Sequence, residues 1–364
     1  MAPPADRTTL AAVFDGPGRP LRLEQVALPD PGPGEVLVRV TCCTLCGSDL
    51  HSYSGRRPAP APSVLGHEIL GVVEGVGSGV EMDATPPGTR VTWSLAASCS
   101  NCYYCTHDMP QKCERLFKYG HELASEGHAL SGGLAAHVLL VPGTAVFPVP
   151  DALSDEAACP ASCATATAAA ALRRGGPLRD RCVLILGAGA LGLSACAMAR
   201  SAGAREVLVA EPRPGRRGLA LRFGATAAVE PPELAAAVRD RTAGRGVDLA
   251  LELSGAAPAL AASLELLRPG GKAVWVGAVF PTASLDLDPE AVVRRSIALE
   301  GVHNYAPRDL AAALGFLAAH ASRFPFAELV EAEYPLERAA EALEAAADRG
   351  LLRVLVRPRA DGPR

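Results

Sequence analysis

Two groups of metal-binding side chains stand out in the first half of the sequence. Cys99, Cys102, Cys105 and Cys113 fall within the stretch CSNCYYCTHDMPQKC, with the spacing C-x2-C-x2-C-x7-C. Two-residue gaps let tight turns aim sulfurs at one centre, and four thiolates complete the tetrahedral shell of Zn²⁺ without leaving a position for substrate. The expectation is a structural zinc in a lobe covering about residues 95–115. Cysteines also serve as small buried hydrophobes or as CxxC redox pairs. The intervening Tyr103, Tyr104, His107 and Asp108 favour a solvated loop, and with it the metal.

The second group has a different logic. CTLCGSDLHSYSG supplies Cys46, Ser48, Asp49 and His51, VLGHEILG supplies His67 and Glu68, and ACPASCATATAAAAL supplies Cys163. Cys46, His67 and Cys163 would give a zinc three protein ligands and one open position, the arrangement of a catalytic site. A Lewis acid there lowers the pKa of an alcohol hydroxyl, so that the alcohol can lose its proton near neutrality and then a hydride. Ser48 could pass that proton to His51, whose ordinary pKa lies near working pH. Asp49 could fix the tautomer of the His67 ring. For Glu68 two readings stay open, transient entry into the metal's coordination or a buried structural carboxylate.

A third motif concerns a nucleotide. LGAGALG places Gly187, Gly189 and Gly192 in the order G-x-G-x-x-G, after the apolar strand CVLIL and before the helix LSACAMARSAG, with Glu211 ending the next strand, EVLVAEP. Such a turn brings a pyrophosphate against a helix N-terminus. Glu211 would accept from the adenosine ribose hydroxyls and repel a 2′-phosphate, which favours NAD over NADP. Arg213, Arg216 and Arg217 follow closely and are suited to a 2′-phosphate, or to a solvated helix start.

The elements that must hold these residues follow from length and texture. A chain of 364 residues with 49% hydrophobic composition fills two cores more readily than one. Leu10 to Pro150 reads as short strands broken by Gly and Pro, with almost no helical periodicity. Beyond Ala152, strands and helices alternate as in a parallel α/β sheet. VDLALELSG and KAVWVGAV read as buried strands, and APALAASLELLRPGG as the helix between them, ended by Gly270 or Gly271. PRDLAAALGFLAAHA reads as a helix, LLRVLVRP as a last strand, and ADGPR as a frayed end. The expected fold class is α/β with two domains: a β-rich catalytic domain over 1–155, a doubly wound parallel sheet over 156–300, and a segment over 301–364 that returns to the first domain.

Composition narrows the partners. The net charge is −4 and the pI about 6.1, with no block of like charges, so nucleic acid and anionic lipid are not expected partners. Eleven cysteines, an odd number, without an export signal at the N-terminus favour reduced thiols and a cytoplasmic protein. The apolar run from Cys182 to Ala199 approaches a membrane span in length, but its glycines belong to the nucleotide turn, so no membrane segment is expected.

Together CGSDLH, GHE, the four-cysteine loop, CATAT and LGAGALG resemble the zinc-dependent medium-chain alcohol dehydrogenases, over essentially the whole chain. The resemblance implies a GroES-like catalytic domain, completed by the C-terminal tail, beside a Rossmann domain. It implies Cys46, His67 and Cys163 as catalytic zinc ligands, Ser48 and His51 as the proton relay, and two zinc ions per chain. Glu211 and Arg216 fall at the adenosine ribose, and Thr167 completes the C-x-x-x-T pattern that begins at Cys163 and joins the cofactor contacts. Some polyol-oxidising relatives use a glutamate as third ligand, and Cys159 lies one helical turn from Cys163. Relatives form homodimers or homotetramers through the edge of the Rossmann sheet, which here points to Gly270–Asp288.

More narrowly, SGRRPAPAPSVLGHE, MPQKC, KYGHE and GVHNYAPRDL resemble a branch associated with phosphonate catabolism. Arg56, Arg57, Lys118, His121 and His303 are candidate anion contacts, and Trp93 a candidate wall of a restricted pocket. The expected activity is reversible oxidation of a small alcohol, or reduction of its aldehyde or ketone, with NAD(H). The alternatives are a polyol or amino-alcohol dehydrogenase of the sorbitol and threonine kind, and a non-catalytic zinc-stabilised dinucleotide-binding protein.

Overall fold

The computed structural model describes residues 7–80, 85–125, 127–280 and 284–359. Over these residues the chain forms two compact units, one from Met1–Cys163, Ala306–Ala319 and Phe326–Arg364, the other from Ala164–Tyr305 and His320–Pro325. The expected end segment ADGPR lies outside the described residues, as do residues 281–283 of the expected contact segment. Among the described residues no helix is long and apolar enough to cross a membrane.

The first unit is β-rich. Its hub is the strand Val36–Leu45, which pairs antiparallel with Glu68–Val76, with His137–Leu140 and with Arg353–Arg357 from the far end of the chain. VLVRVTCCTL lacks a regular polar alternation because both faces of the strand are covered. Leu37 packs with Phe14, Leu65, Leu134, Leu343 and Val354, while Val36, Val38 and Val40 pack with Ile69, Val91 and Tyr119. A register shift between Val40 and Cys42 brings Cys43 to that second face. Helix Ala339–Arg349 covers the first face with Ala339, Ala342, Leu343 and Ala346, a one-sided stripe, and stops at Gly350 in the left-handed conformation, φ 60°.

The second unit holds a six-stranded, all-parallel sheet in the spatial order Ala227–Val229, Glu206–Ala210, Cys182–Leu186, Val247–Glu252, Leu267–Trp275, Ala298–Gly301. Numbered along the chain this order is 3-2-1-4-5-6, the doubly wound arrangement that carries nucleotides at the strands' carboxyl ends. Every residue of CVLIL is buried, and the apolar run from Cys182 to Ala199 divides into this strand, a turn and the helix Ala190–Ser201.

One expected boundary is corrected. The helix within APALAASLELLRPGG spans Ala257–Glu265, and the next strand begins at Leu267, ahead of both glycines. Leu267 is buried opposite Val247, and the pairing then shifts register before Leu249 meets Lys272. Gly270, at φ 70°, donates its N–H to the Arg295 carbonyl at 2.7 Å. The glycines therefore serve an irregular strand rather than a helix cap.

Candidate functional site

The four-cysteine loop folds as a knuckle around a common centre. Cys102 precedes the short helix Tyr103–Thr106, and Ser100 and Asp108 take left-handed backbone angles of 61° and 65° on either side of it. The four sulfurs lie within 4.8 Å of one another. The separations Cys102–Cys105, Cys99–Cys105 and Cys102–Cys113 are 3.5, 3.9 and 3.9 Å. Thiolates held about 2.3 Å from one tetrahedral ion stand roughly 3.8 Å apart, whereas a disulfide closes to about 2 Å. The donor set and its spacing fit Zn²⁺. Main-chain N–H groups of Cys99 and Arg115 each donate to the Cys113 sulfur at 3.3 Å. Ion pairing of Asp108 with Arg308 ties the loop to the helix Pro307–His320.

The second cluster is organised by one buried carboxylate. Cys46 caps the helix Gly47–Tyr53, and Asp49, in the first turn, accepts the Cys46 N–H at 2.9 Å. The other Asp49 oxygen accepts the Gly66 N–H and meets His67 Nδ1, each at 3.1 Å. Asp49 thus fixes the backbone of Cys46 and turns Nε2 of His67 toward the cluster. Donor atoms of Cys46, His67, Glu68 and Cys163 lie within 4.8 Å of one another. A hydrogen bond from Cys163, reinforced by Arg353, holds the Cys46 thiol well below its ordinary pKa, and the same contact together with burial raises Cys163. Two thiols beside an oriented imidazole form a donor set into which a dication fits.

The structure brings Cys163 into this group and leaves Cys159 outside it. Cys159 is fully buried and donates to the carbonyls of Cys42 and Glu68. Ser48 Oγ stands 3.3 Å from His67 Nε2. His51 follows three residues later on the same helix, half-buried, where burial and then Arg56 hold its pKa below the ordinary imidazole value.

Sequence reasoning missed Arg353. Its Nε and Nη2 donate to the two oxygens of Glu68, both at 2.7 Å, and Nη2 lies 3.8 Å from the Cys46 sulfur. Thr44 Oγ1 adds a third bond to Glu68 at 2.6 Å. Glu68 is thus a buried carboxylate held by Arg353 and Thr44, and one of its oxygens stays within 4.8 Å of the Cys46, His67 and Cys163 donors. An arginine inside LLRVLVRP, a strand buried at four of its five positions, was the available signal, since a buried guanidinium demands an acid. Trp93 is 3% exposed and packs edge-on against Tyr119 at 6.1 Å, so it belongs to the core of this unit.

In the second unit, Gly187 takes φ 103°, and a Cβ on Gly192 would sit 1.9 Å from the Gly187 carbonyl oxygen. Gly189, the cap of helix Ala190–Ser201, has open space where its Cβ would be. The first and third glycines are therefore needed by the fold, and the second leaves the helix N-terminus approachable by an anion. Glu211 is buried and accepts the N–H groups of Ala188 at 2.8 Å and Arg213 at 3.0 Å. Arg217 bonds the carbonyls of Glu211 and Pro212 and pairs with Glu230. Thr167 lies half-buried in helix Ala164–Gly175, and Arg216 in helix Pro214–Arg222.

Residues 32–151 match the alcohol dehydrogenase GroES-like domain, and residues 190–319 match the zinc-binding dehydrogenase family. L-threonine 3-dehydrogenase of Thermococcus kodakarensis is 34% identical over 289 residues, 77% of this chain and 78% of the relative. The chain belongs to the zinc-dependent medium-chain alcohol dehydrogenases. Within this family, 5-exo-hydroxycamphor dehydrogenase of Pseudomonas putida is 30% identical over 333 residues, 88% of this chain and 91% of the relative. An alcohol dehydrogenase structure from Thermotoga maritima superposes with a TM-score of 0.92 at 29% identity, covering 97% of this chain and all of the other. A zinc-binding dehydrogenase from Sinorhizobium meliloti, solved bound to NADP, gives 0.87 at 27% identity, covering 97% and 100%. The β-rich unit is accordingly GroES-like and the parallel sheet a Rossmann fold.

Proposed function

We propose that this family member is a reversible alcohol dehydrogenase with two zinc ions per chain and a preference for NAD over NADP. The observation that carries the reading is the cluster of Cys46, His67 and Cys163 donors, with Asp49 on the far nitrogen of the imidazole. Those three residues would hold the catalytic zinc, and Cys99, Cys102, Cys105 and Cys113 the structural one. The catalytic ion supplies Lewis acidity toward an alcohol or carbonyl oxygen. Ser48, beside His67, takes up the proton of the alcohol as its own hydroxyl proton passes to His51, which accepts it in the neutral form and then releases it to solvent. Arg353 keeps the Glu68 carboxylate in place next to Cys46. Gly189 admits the pyrophosphate to the helix N-terminus, and Glu211 together with Arg216 takes the adenosine ribose; Thr167 is a further cofactor contact. Glu211 at the strand end favours NAD, and the pairing of Arg217 with Glu230 removes one of the three nearby arginines from competition for a 2′-phosphate.

The substrate in this reading is a small polar alcohol, and the motifs shared with the phosphonate-associated branch make a phosphonate-bearing one a specific candidate. A polyol or amino-alcohol dehydrogenase is the second reading, favoured by the threonine dehydrogenases among the relatives. Exposed Val279 and Leu287 support a homodimer or homotetramer joined around 270–288. The test is reduction of NAD and NADP over a panel of simple alcohols, polyols, threonine and hydroxyalkylphosphonates. Activity that is lost in Cys46→Ser supports the reading, and equal activity in Cys46→Ser contradicts it.

A further inference from the structure

One buried carboxylate of the second unit serves neither the metal clusters nor the adenosine side of the nucleotide site. Glu252 ends Val247–Glu252, the fourth strand of the parallel sheet, in register with Leu186 on one side and Trp275 on the other. Its main-chain carbonyl accepts the N–H groups of Val276 and Gly277 at 2.9 and 3.0 Å, and Leu253, the next residue, donates to the Leu186 carbonyl at 3.0 Å. The turn beyond it backs the nucleotide motif, since a Cβ on Gly187 would stand 3.1 Å from the Ser254 Cβ. Glu252 therefore lies at the carboxyl end of the sheet, where strands 1 and 4 part and this strand order binds a dinucleotide.

The Glu252 side chain is 0% exposed. Its Oε1 accepts the Ser254 N–H at 2.8 Å, the Ser254 hydroxyl at 2.6 Å and the Gly255 N–H at 2.8 Å. Oε2 is buried as well, and among the described residues it has no hydrogen-bond partner. No cation among the described residues stands at ion-pair distance from it either. Other acids of the same sheet are neutralised: Asp248 by Arg268 at 2.7 Å, Glu206 by Arg241 at 3.0 Å and Glu300 by Lys272 at 2.5 Å. Glu211, the other buried acid at the strand ends, has both oxygens occupied by main-chain N–H groups. Burial pushes the Glu252 pKa up, and the hydrogen bonds from Ser254 and Gly255 offset this only in part. A buried carboxylate with an idle oxygen and no counter-ion is costly unless a bound group supplies the missing charge.

The topology says which group that is. In this strand order the first three strands carry one mononucleotide and the last three the other. Glu211 ends the second strand, on the adenosine half, so Glu252, ending the fourth, falls on the nicotinamide half. The oxidised nicotinamide ring is a cation, and it loses that charge when it accepts a hydride. We infer that Glu252 is the counter-charge of the oxidised nicotinamide, and that it tightens the hold on the oxidised dinucleotide relative to the reduced one. The inference rests on the reading of the parallel sheet as the NAD(H) site with Glu211 at the adenosine ribose. Charge attraction in such a poorly hydrated place acts on the oxidised form alone. The same difference in affinity shifts the bound pair toward the oxidised cofactor, which favours carbonyl reduction on the enzyme.

The test measures Kd for NADH by fluorescence titration and for NAD⁺ by competition, at about pH 8, in the parent, Glu252→Gln and Ser254→Ala. Glu252→Gln removes the charge and keeps an oxygen for the three donors, whereas Ser254→Ala removes one donor and keeps the charge. The ratio of the NAD⁺ Kd to the NADH Kd should rise about 10-fold in Glu252→Gln and stay within about 2-fold of the parent in Ser254→Ala. Glu252→Met is a second neutral variant, read if Glu252→Gln does not fold, and the same rise is expected. A ratio unchanged in the neutral variant, or raised equally in Ser254→Ala, overturns the inference and leaves the NAD(H) site standing. If the parent binds NADP⁺ and NADPH instead, the ratio is read on that pair, whose rings differ by the same charge. If it binds no dinucleotide, the cofactor reading fails and the inference falls with it.

Discussion

Replacing Arg353 by alanine removes both nitrogens that hold Glu68, whose side chain is 0% exposed, and leaves its carboxylate with the Thr44 hydroxyl as its remaining side-chain partner. Breaking a buried ion pair from one side costs about 3–5 kcal/mol, because a charge stays behind without compensation. Two lost charge-assisted hydrogen bonds at about 1.5–3 kcal/mol each give an overlapping range of about 3–6 kcal/mol. Removing both charges, in Arg353→Met with Glu68→Leu, eliminates the stranded carboxylate, and most of the loss should be recovered. The readout is urea unfolding followed by Trp93, which is buried in this unit, in a Trp275→Phe background, because the chain has 2 tryptophans. With a slope of about 2 kcal/mol per molar, the midpoint of Arg353→Ala should fall by roughly 2 M. A loss below about 1 kcal/mol, or a double variant less stable than the single one, would refute the argument that this pair braces the cluster.

Further outcomes follow from the two sites. His51 must be neutral to accept a proton, and its depressed pKa keeps it neutral through most of the physiological range. The acid limb of alcohol oxidation should therefore lie below about pH 6.5, and His51→Gln should lower kcat roughly 100-fold and abolish that limb; an unaltered pH profile would remove His51 from the relay. Gly189→Ala meets no atom within 4 Å, so it should fold normally yet weaken NADH binding at least about 10-fold, as measured by fluorescence titration. Gly192→Ala would place a Cβ 1.9 Å from a carbonyl oxygen and should lower the melting temperature as well. Equal behaviour of the two variants would contradict the distinct roles given to these glycines. Asp49→Asn preserves shape while weakening the hold on His67, and metal affinity should drop about 10- to 100-fold in a competition assay with a chelator.

What was legible in the sequence was local. The four-cysteine spacing and the glycine turn each lie within fifteen residues, so the residue types and gaps nearly determine the geometry. Ser48 and His51 could be named, but the helix that aligns them could not, because seven residues are too few to show a period. Arg353 meets Glu68 across 285 residues, and only the folded sheet, in which the last strand pairs with Val36–Leu45, brings them together. The helix expected to be ended by Gly270 or Gly271 stops earlier because Leu267 gains burial opposite Val247, a tertiary contact that overrides the cap signal of the glycines.

The most direct test of the central claim is zinc per chain by elemental analysis in the purified protein, in Cys46→Ser and in Cys113→Ser. The account predicts two zinc ions in the parent and one in each variant, with activity lost in Cys46→Ser and a lowered melting temperature in Cys113→Ser. One zinc in the parent, unchanged by Cys46→Ser, would contradict the catalytic metal site and the reaction built on it.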